Sequence, residues 1–244
     1  MFTDVQLIHL DRVDSTHTTA KEVDITAHAN TVFAIIAREQ THGKGRYGKS
    51  WLSSRDESLL LTLTFQSALL PYPHQLTQVL AYTAFEFLKN LGLLSCLKWP
   101  NDIFIDDKKI GGILMDSSQH RCLVSIGLNI NQPLKFFDQV DQKATSFFLE
   151  TGRKMLPWQA AEVLSRLFVT HLNQWMAHGF NSFYHRINEQ ALYLGPAEYQ
   201  KEGGECRSGK VMGLDQHGFL LFDDRGETLT LKSGSLTILA QENP

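Results

Sequence analysis

Gly43-Lys-Gly-Arg-Tyr-Gly-Lys-Ser50 matches, letter for letter, the phosphate-binding expression G-x-x-x-x-G-K-S of nucleotide triphosphatases. Ile103-Phe-Ile-Asp106 then offers the strand-end acid that holds magnesium in such proteins. The expression carries that meaning only where the loop follows a strand directly and its Lys-Ser opens a helix. Here five residues separate Gly43 from the β-branched run Thr31-Val-Phe-Ala-Ile-Ile-Ala37. Downstream, Trp51-Leu-Ser-Ser-Arg-Asp-Glu-Ser58 has no helical apolar stripe and runs into a second strand-like stretch, Ser58 to Phe65. The segment from Arg38 to Ser54 is therefore a long glycine-rich loop between two strands, and the fold is mixed α+β. Loops of that length inside a compact domain are usually functional.

The flanking sequence agrees. Gln6 to Leu10 reads as a short strand, and Asp14-Ser15-Thr16 offers N-cap residues for a helix running to about Ala27. Leu76, Val79, Leu80, Thr83, Ala84, Phe87, Leu88 and Leu91 fall on one helical stripe that Gly92 closes. Short strands follow at 94–98, 102–106, 109–116 and 121–127, with turns at Asp106-Asp107-Lys108 and Ser117-Ser118-Gln119. Pro157 opens a second long helix whose apolar face carries Leu164, Leu167, Phe168, Leu172 and Trp175; Gly179 stops it, and another helix spans about 181–190. After Gly195-Pro196 about five short strands, with turns at Gly203-Gly204, Asp215–Gly218 and Asp223–Gly226, predict a small β-barrel. The expected organisation is a catalytic domain over 1–192, with a mixed central sheet packed by helices, and a small barrel over 193–244.

Composition narrows the function. The 244 residues carry 23 Lys+Arg against 26 Asp+Glu, a net charge of −3 that gives no footprint for non-specific nucleic-acid binding. The densest apolar run, Leu59 to Phe65, is too short to span a bilayer, and Asp4 with no apolar run after it argues against a secretory signal. The expectation is a cytoplasmic protein. Cys96, Cys122 and Cys206 are odd in number and far apart, which supports neither a disulfide framework nor a zinc site. Within the loop, three glycines allow close backbone approach, and Lys44, Arg46 and Lys49 place positive charge there, pointing to a phosphate or carboxylate ligand.

A second cluster follows. In Lys98-Trp-Pro-Asn-Asp102, Pro100 fixes a turn from which Asn101 and Asp102 project together. An Asn amide both donates and accepts, as a purine edge requires, and a carboxylate suits a metal or a proton. Lys109 opens an apolar strand beside Gly111 and Gly112, where no side chain obstructs a flat ligand.

Taken in order, Asp14-Ser-Thr16, Gln40 through Trp51, Lys98 to Asp102, Lys109-Ile-Gly-Gly-Ile-Leu114 and Gly127-Leu-Asn129 resemble the biotin protein ligases, the biotin–[acetyl-CoA-carboxylase] ligases. The resemblance covers roughly residues 5–240. It implies a class II aminoacyl-tRNA synthetase-like catalytic fold with a small Src-homology-3-like barrel. It also implies a two-step reaction: biotin and ATP give biotinyl-5′-AMP with Mg²⁺, and a lysine of the biotin carboxyl carrier protein then takes the biotinyl group.

By that resemblance Lys109 contacts the biotin carboxylate and the α-phosphate, Arg46 clamps the intermediate, and Asp102 orients or deprotonates the incoming lysine or sits near magnesium. Ser15, Thr16, His17 and Gln40, with Gly43, Lys44, Gly45 and Arg46, form the biotin site. Lys49, Trp51, Asn101 and Asn129 join Arg46 and Lys109 on the ATP and adenylate side, Trp51 against adenine and Asn101 on its edge. Cations suit a reaction that brings two anions together. The chain departs from the family pattern in several places. Lys44 and Lys49 replace common arginines and lose the bidentate fork; His17 stands where asparagine is frequent; and Ser125 replaces the first glycine of the usual G-x-G-x-N.

Only 13 residues precede Asp14, too few for the winged helix of the repressor-type members, so a monofunctional ligase without direct DNA contact is expected. Homodimerisation through the central sheet edge is a further expectation from the family. Lipoate and octanoyl transferases share a related fold but carry different glycine-rich signatures. A non-catalytic biotin or nucleotide sensor would not need both Lys109 and Arg46.

Overall fold

The computed structural model describes residues 1–67, 70, 72–201, 204 and 206–239. The chain begins with β1 (Asp4–Val13), α1 (Thr16–Thr19) and β2 (Thr31–Gln40), and the small pair β3 (Gly43–Lys44) and β4 (Ser50–Trp51) leads to β5 (Ser58–Gln66). Next come α2 (Leu76–Asn90), β6 (Cys96–Lys98), β7 (Asp102–Ile105), β8 (Lys108–Ser117) and β9 (Arg121–Asn129). The helices α3 (Phe147–Thr151), α4 (Pro157–His178) and α5 (Asn181–Arg186) then precede β10 (Gly195–Gln200), β11 (Cys206–Leu214), β12 (Leu220–Asp224), β13 (Glu227–Leu231) and β14 (Ser235–Ile238).

Seven strands form one sheet in the order β1-β2-β5-β9-β8-β7-β6. Its only parallel pair is β1 with β2; the others are antiparallel. The run that reads as continuous hydrophobicity in β2 resolves into two faces. Val32, Ala34 and Ile36 enter the main core, whereas Phe33 and Ile35 join a second cluster with Ala20, Ile25 and Leu123. That is the period-2 alternation of a strand covered on both sides. Helices α2 and α4 pack on each other, and α4 also packs on β2 and β5. The segment after α1 covers the opposite face.

Two sequence expectations need correction here. The first helix ends at Thr19 instead of Ala27. The Arg121 guanidinium takes the carbonyls of Ala20 and Val23, and Asp24 Oδ1 accepts from both the N–H and the hydroxyl of Thr26, so this backbone bonds to side chains instead of continuing as helix. The 38–54 loop is also more ordered than expected. β2 extends to Gln40 by pairing with Val13, and β3 pairs with β4 across a tight turn in which Tyr47 takes φ 56°.

The last five strands form an antiparallel sheet in the order β13-β12-β11-β10-β14. The expected small C-terminal β unit is thus present as five strands, with no ladder between β13 and β14 among the described residues; Gly203 and residues 240–244 lie outside the described residues. Its apolar side, with Ala197, Tyr199, Val211, Leu220 and Phe222, is continuous with the main core. Asn188 fastens it by donating to Leu214 O at 3.1 Å and accepting from Leu214 N at 2.7 Å.

Candidate functional site

One cavity of about 690 Å³ opens at the end of the large sheet. Ser15, Thr16, His17, Gln40, Lys44, Gly45, Arg46, Lys49, Trp51, Asn101, Asp102, Lys109 and Asn129 all line it. Gly43 does not, and with Gly48 it lines an adjoining cavity; Gly111, expected beside a flat ligand, instead packs on Leu128, which a Cβ there would meet at 2.3 Å. Gly43 has a clear structural demand nonetheless, since a Cβ there would lie 2.5 Å from Trp51 O.

The floor is the paired glycines Gly112 and Gly127 of β8 and β9. Trp51 lies across them: a Cβ on Gly127 would meet its indole at 2.5 Å. On one wall, Asp102 binds Lys109 Nζ at 2.8 Å through Oδ1 and Lys98 Nζ at 3.7 Å through Oδ2. Burial pushes the Lys98 ammonium below its ordinary range, against the raising influence of Asp102, and Lys109 and Lys49 add to the lowering. A β-bulge at Ile103/Phe104 shifts the β7–β8 register beside Lys109. The backbone of Lys109 is pinned by Lys143 O and Thr145 N–H, and Asn129 Nδ2 holds Thr145 O at 3.0 Å. The Asn129 amide therefore supports the segment that fixes Lys109.

Arg46 projects from the β3–β4 turn. It donates to Asn101 Oδ1 at 3.0 Å and to Tyr47 Oη at 2.9 Å, with its guanidinium carbon 4.7 Å from the Tyr47 ring centre. Asn101 is tied to β8 by a donation from Nδ2 to Ile113 O at 2.9 Å and by its own carbonyl, which accepts from Ile113 N–H at 2.8 Å. Both ends of the Asn101 amide are thus engaged within the protein, and the Trp99–Pro100 peptide beside it is cis.

Opposite this charged wall is a buried polar patch. Gln40 Oε1 accepts from Thr16 N–H at 2.7 Å and from Thr16 Oγ1 at 2.9 Å. The chain continues through Thr62 and Ser125 to His17, whose Nε2 is 2.8 Å from Asp116 Oδ2. Ser15 is 1% exposed at the head of α1.

Sequence reading missed several contributors. Lys98 sits in a quoted motif but had no role, and its ammonium proves to share Asp102. Thr62 and Asp116 lie within strand runs and gave no local signal. Phe136, Phe137 and the stretch to Ala144 reach the cavity, as do Ser235–Thr237 of β14. The triphosphatase reading fails on geometry: Lys49-Ser50 enters a strand paired with Lys44, where a helix would be required.

The Biotin/lipoate A/B protein ligase family profile matches residues 9–131, half of the chain. The chain is 29% identical over 225 residues to the bifunctional ligase/repressor BirA of Bacillus subtilis, covering 89% of this chain and 69% of that protein. It is 25% identical over 220 residues to the biotin–[acetyl-CoA-carboxylase] ligase of Mycobacterium tuberculosis, covering 84% and 78%. Among solved structures, the Aquifex aeolicus biotin protein ligase in complex with biotin and ATP superposes with a TM-score of 0.80 at 28% identity, over 95% of this chain and 97% of that one. With the match spanning the loop, the Lys98–Asp102 turn and the Lys109 strand, the chain belongs to the biotin/lipoate A/B protein ligase family.

Proposed function

We propose that the protein is an ATP-dependent ligase that converts biotin into biotinyl-5′-AMP and transfers it to a lysine of a biotin carboxyl carrier protein. The observation that carries this reading is the two-sided cavity: a polar patch built on Thr16 and Gln40 faces the cations Lys109 and Arg46 across a glycine floor. A cyclic urea needs donors and acceptors at one end, and a carboxylate approaching an α-phosphate needs positive charge at the other. A volume of about 690 Å³ falls in the ordinary range for a small-molecule site.

In this reading Lys109 neutralises the biotin carboxylate and the α-phosphate as the acyl-phosphate bond forms and pyrophosphate leaves. Arg46 closes over the intermediate, and Lys49 meets phosphate oxygens. Trp51 supplies the flat surface for adenine. Asn101, with its amide already on Arg46 and Ile113, serves better as the anchor of Arg46 than as a reader of a purine edge. Asp102 takes the proton of the incoming lysine once ligand draws Lys109 away. Mg²⁺ enters with ATP; both Asp102 oxygens rest on lysine ammoniums, so metal contact there displaces one of them. The proposed compartment is the cytoplasm. Among the described residues no helix is long and apolar enough to cross a membrane. A homodimer through an edge of the central sheet, and a small C-terminal domain over 193–244, are proposals from the family resemblance.

The test is ATP–pyrophosphate exchange with biotin, run beside lipoate and octanoate. Exchange with biotin alone is expected, and Lys109→Ala should lower it by about 10²–10³-fold without loss of fold by circular dichroism. Exchange driven by lipoate instead would refute the substrate assignment. A carrier-protein fragment then tests the second step.

A further inference from the structure

Two departures from the family pattern, His17 and Ser125, touch: His17 Nδ1 lies 2.7 Å from Ser125 Oγ. Counting protons along the chain they belong to gives it a direction. Thr16 N–H can only donate, so the Gln40 atom 2.7 Å away is the carbonyl oxygen. That oxygen also takes the Thr16 hydroxyl proton. Thr16 Oγ1 has then spent its one proton and accepts from Thr62 at 2.9 Å. Thr62 in turn accepts from Ser125 at 2.8 Å, and Ser125 from His17 Nδ1.

At the far end, Asp116 is paired with Lys21 at 3.2 Å and is an ionised acceptor, so His17 Nε2 must donate to it. Every bond is made only when His17 carries both ring protons. The ring is 3% exposed, and burial lowers its pKa from the ordinary 6.5 against the opposing pull of Asp116. The charged groups that face it are Asp116 from β8, Lys21 after α1 and Lys44 from β3, both lysines disfavouring the imidazolium.

When one proton leaves, Nε2 keeps its hydrogen for the carboxylate and Nδ1 becomes an acceptor. Three hydroxyl protons then serve four contacts, and the shortest, 2.7 Å from Ser125 Oγ to His17 Nδ1, takes one; the chain reverses, so that Ser125 donates to His17, Thr62 to Ser125 and Thr16 to Thr62, and the 2.9 Å contact of Thr16 Oγ1 with Gln40 Oε1 is the one left without a proton. Gln40 Oε1 then keeps only the Thr16 N–H and has a lone pair free. Gln40 lines the cavity.

We propose that His17 is a positioning residue whose protonation, steadied by Asp116, sets the direction of the Ser125–Thr62–Thr16 hydroxyl chain, and that the neutral ring readies Gln40 to accept an N–H of a cyclic urea. This rests on the biotin ligase reading. Biotin binding is accordingly coupled to release of a proton from His17.

The experiment is calorimetric titration of the full-length protein with biotin, without ATP, from pH 5.5 to 8.0 in buffers of differing ionisation enthalpy. On the acid side the expected result is up to one proton released per biotin and a Kd that rises up to about tenfold per pH unit. His17→Asn abolishes both. Asp116→Asn, which keeps the imidazole, moves the proton release to lower pH, a shift that a purely structural histidine would not give. Biotin binding without proton release in the wild type, or with an unchanged pH slope in His17→Asn, overturns the proposal. Failure of the wild type to bind biotin at any pH overturns the ligase reading, and the urea-facing role of His17 with it.

Discussion

Gly127→Ala tests whether the glycine floor positions Trp51. The added Cβ would stand 2.5 Å from Trp51 Cε2 and 2.8 Å from Cζ2 and Nε1. Non-bonded carbons settle at about 3.5–4.0 Å, so the indole must move by about 1 Å. The Trp51 backbone cannot share that movement easily, because it pairs with Gly43 and its carbonyl packs against that glycine. The ring is therefore driven into the cavity, on the side where Lys109 Nζ lies 5.7 Å from its centre. Overpacking of this kind costs about 1–3 kcal/mol, and a 1 Å misplacement of a positioned group about 10²-fold in rate. Biotin-dependent pyrophosphate exchange should show kcat/KM for ATP lowered by about that factor, with Tm down by a few degrees. Gly112→Ala is the internal control. Its Cβ meets nothing closer than 3.4 Å, and less than about tenfold loss is expected. In a Trp51→Ala background Gly127→Ala should add little, the non-additivity of a direct contact. Full activity of Gly127→Ala, or strict additivity in the double variant, would refute the reasoning.

Arg46→Gly removes the guanidinium held by Asn101 and Tyr47; the adenylate should then escape and biotinylate bystander lysines, read on a mixed-protein substrate with labelled streptavidin. Asn101→Ala should leak in the same direction but less, because Tyr47 still holds Arg46, and tight retention in both variants would exclude the clamp. His171 is buried with Nδ1 on Thr83 Oγ1 at 2.9 Å, and burial lowers its pKa, so the unfolded chain takes up a proton that the fold resists. That stability is present above the unfolded value of about 6.5 and is lost as pH falls through the lowered folded value, with His17 acting in the same sense. Tm should drop between pH 7.5 and 5.5 and drop less in His171→Gln; an equal slope in both would argue against the assignment. Arg121→Ala frees the carbonyls of Ala20 and Val23, which should cost about 2 kcal/mol and speed amide exchange over 20–26; unchanged exchange there would mean the tether is idle.

The amino-acid sequence alone determined whatever depends on neighbours along the chain. The stripe from Leu76 to Leu91, the stops at Gly92 and Gly179 and the turn at Asp106 follow from local geometry, and all appear in the structure. The loop and the Lys98–Asp102 motif were legible because their chemistry-bearing residues lie close in sequence, and the cavity gathers them apart from the glycines Gly43 and Gly48. What only the tertiary structure decided depends on partners that lie elsewhere in the chain, from 12 to 108 residues away. The first helix ends at Thr19, and Arg121 takes the carbonyls of Ala20 and Val23 just beyond it, a contact that no propensity in residues 16–27 encodes. Asn101 reads as a recognition amide until Arg46 and Ile113 are seen to occupy it. The five C-terminal strands were countable from their turns, but their order, in which the last strand, β14, pairs with the first, β10, is set by contacts across the sheet. His17 and Ser125 are 108 positions apart and look like unrelated departures in the sequence. The sheet sets them 2.7 Å from each other, and hydrogen bonding, which depends on distance in space and on one proton per hydroxyl, makes them a single unit.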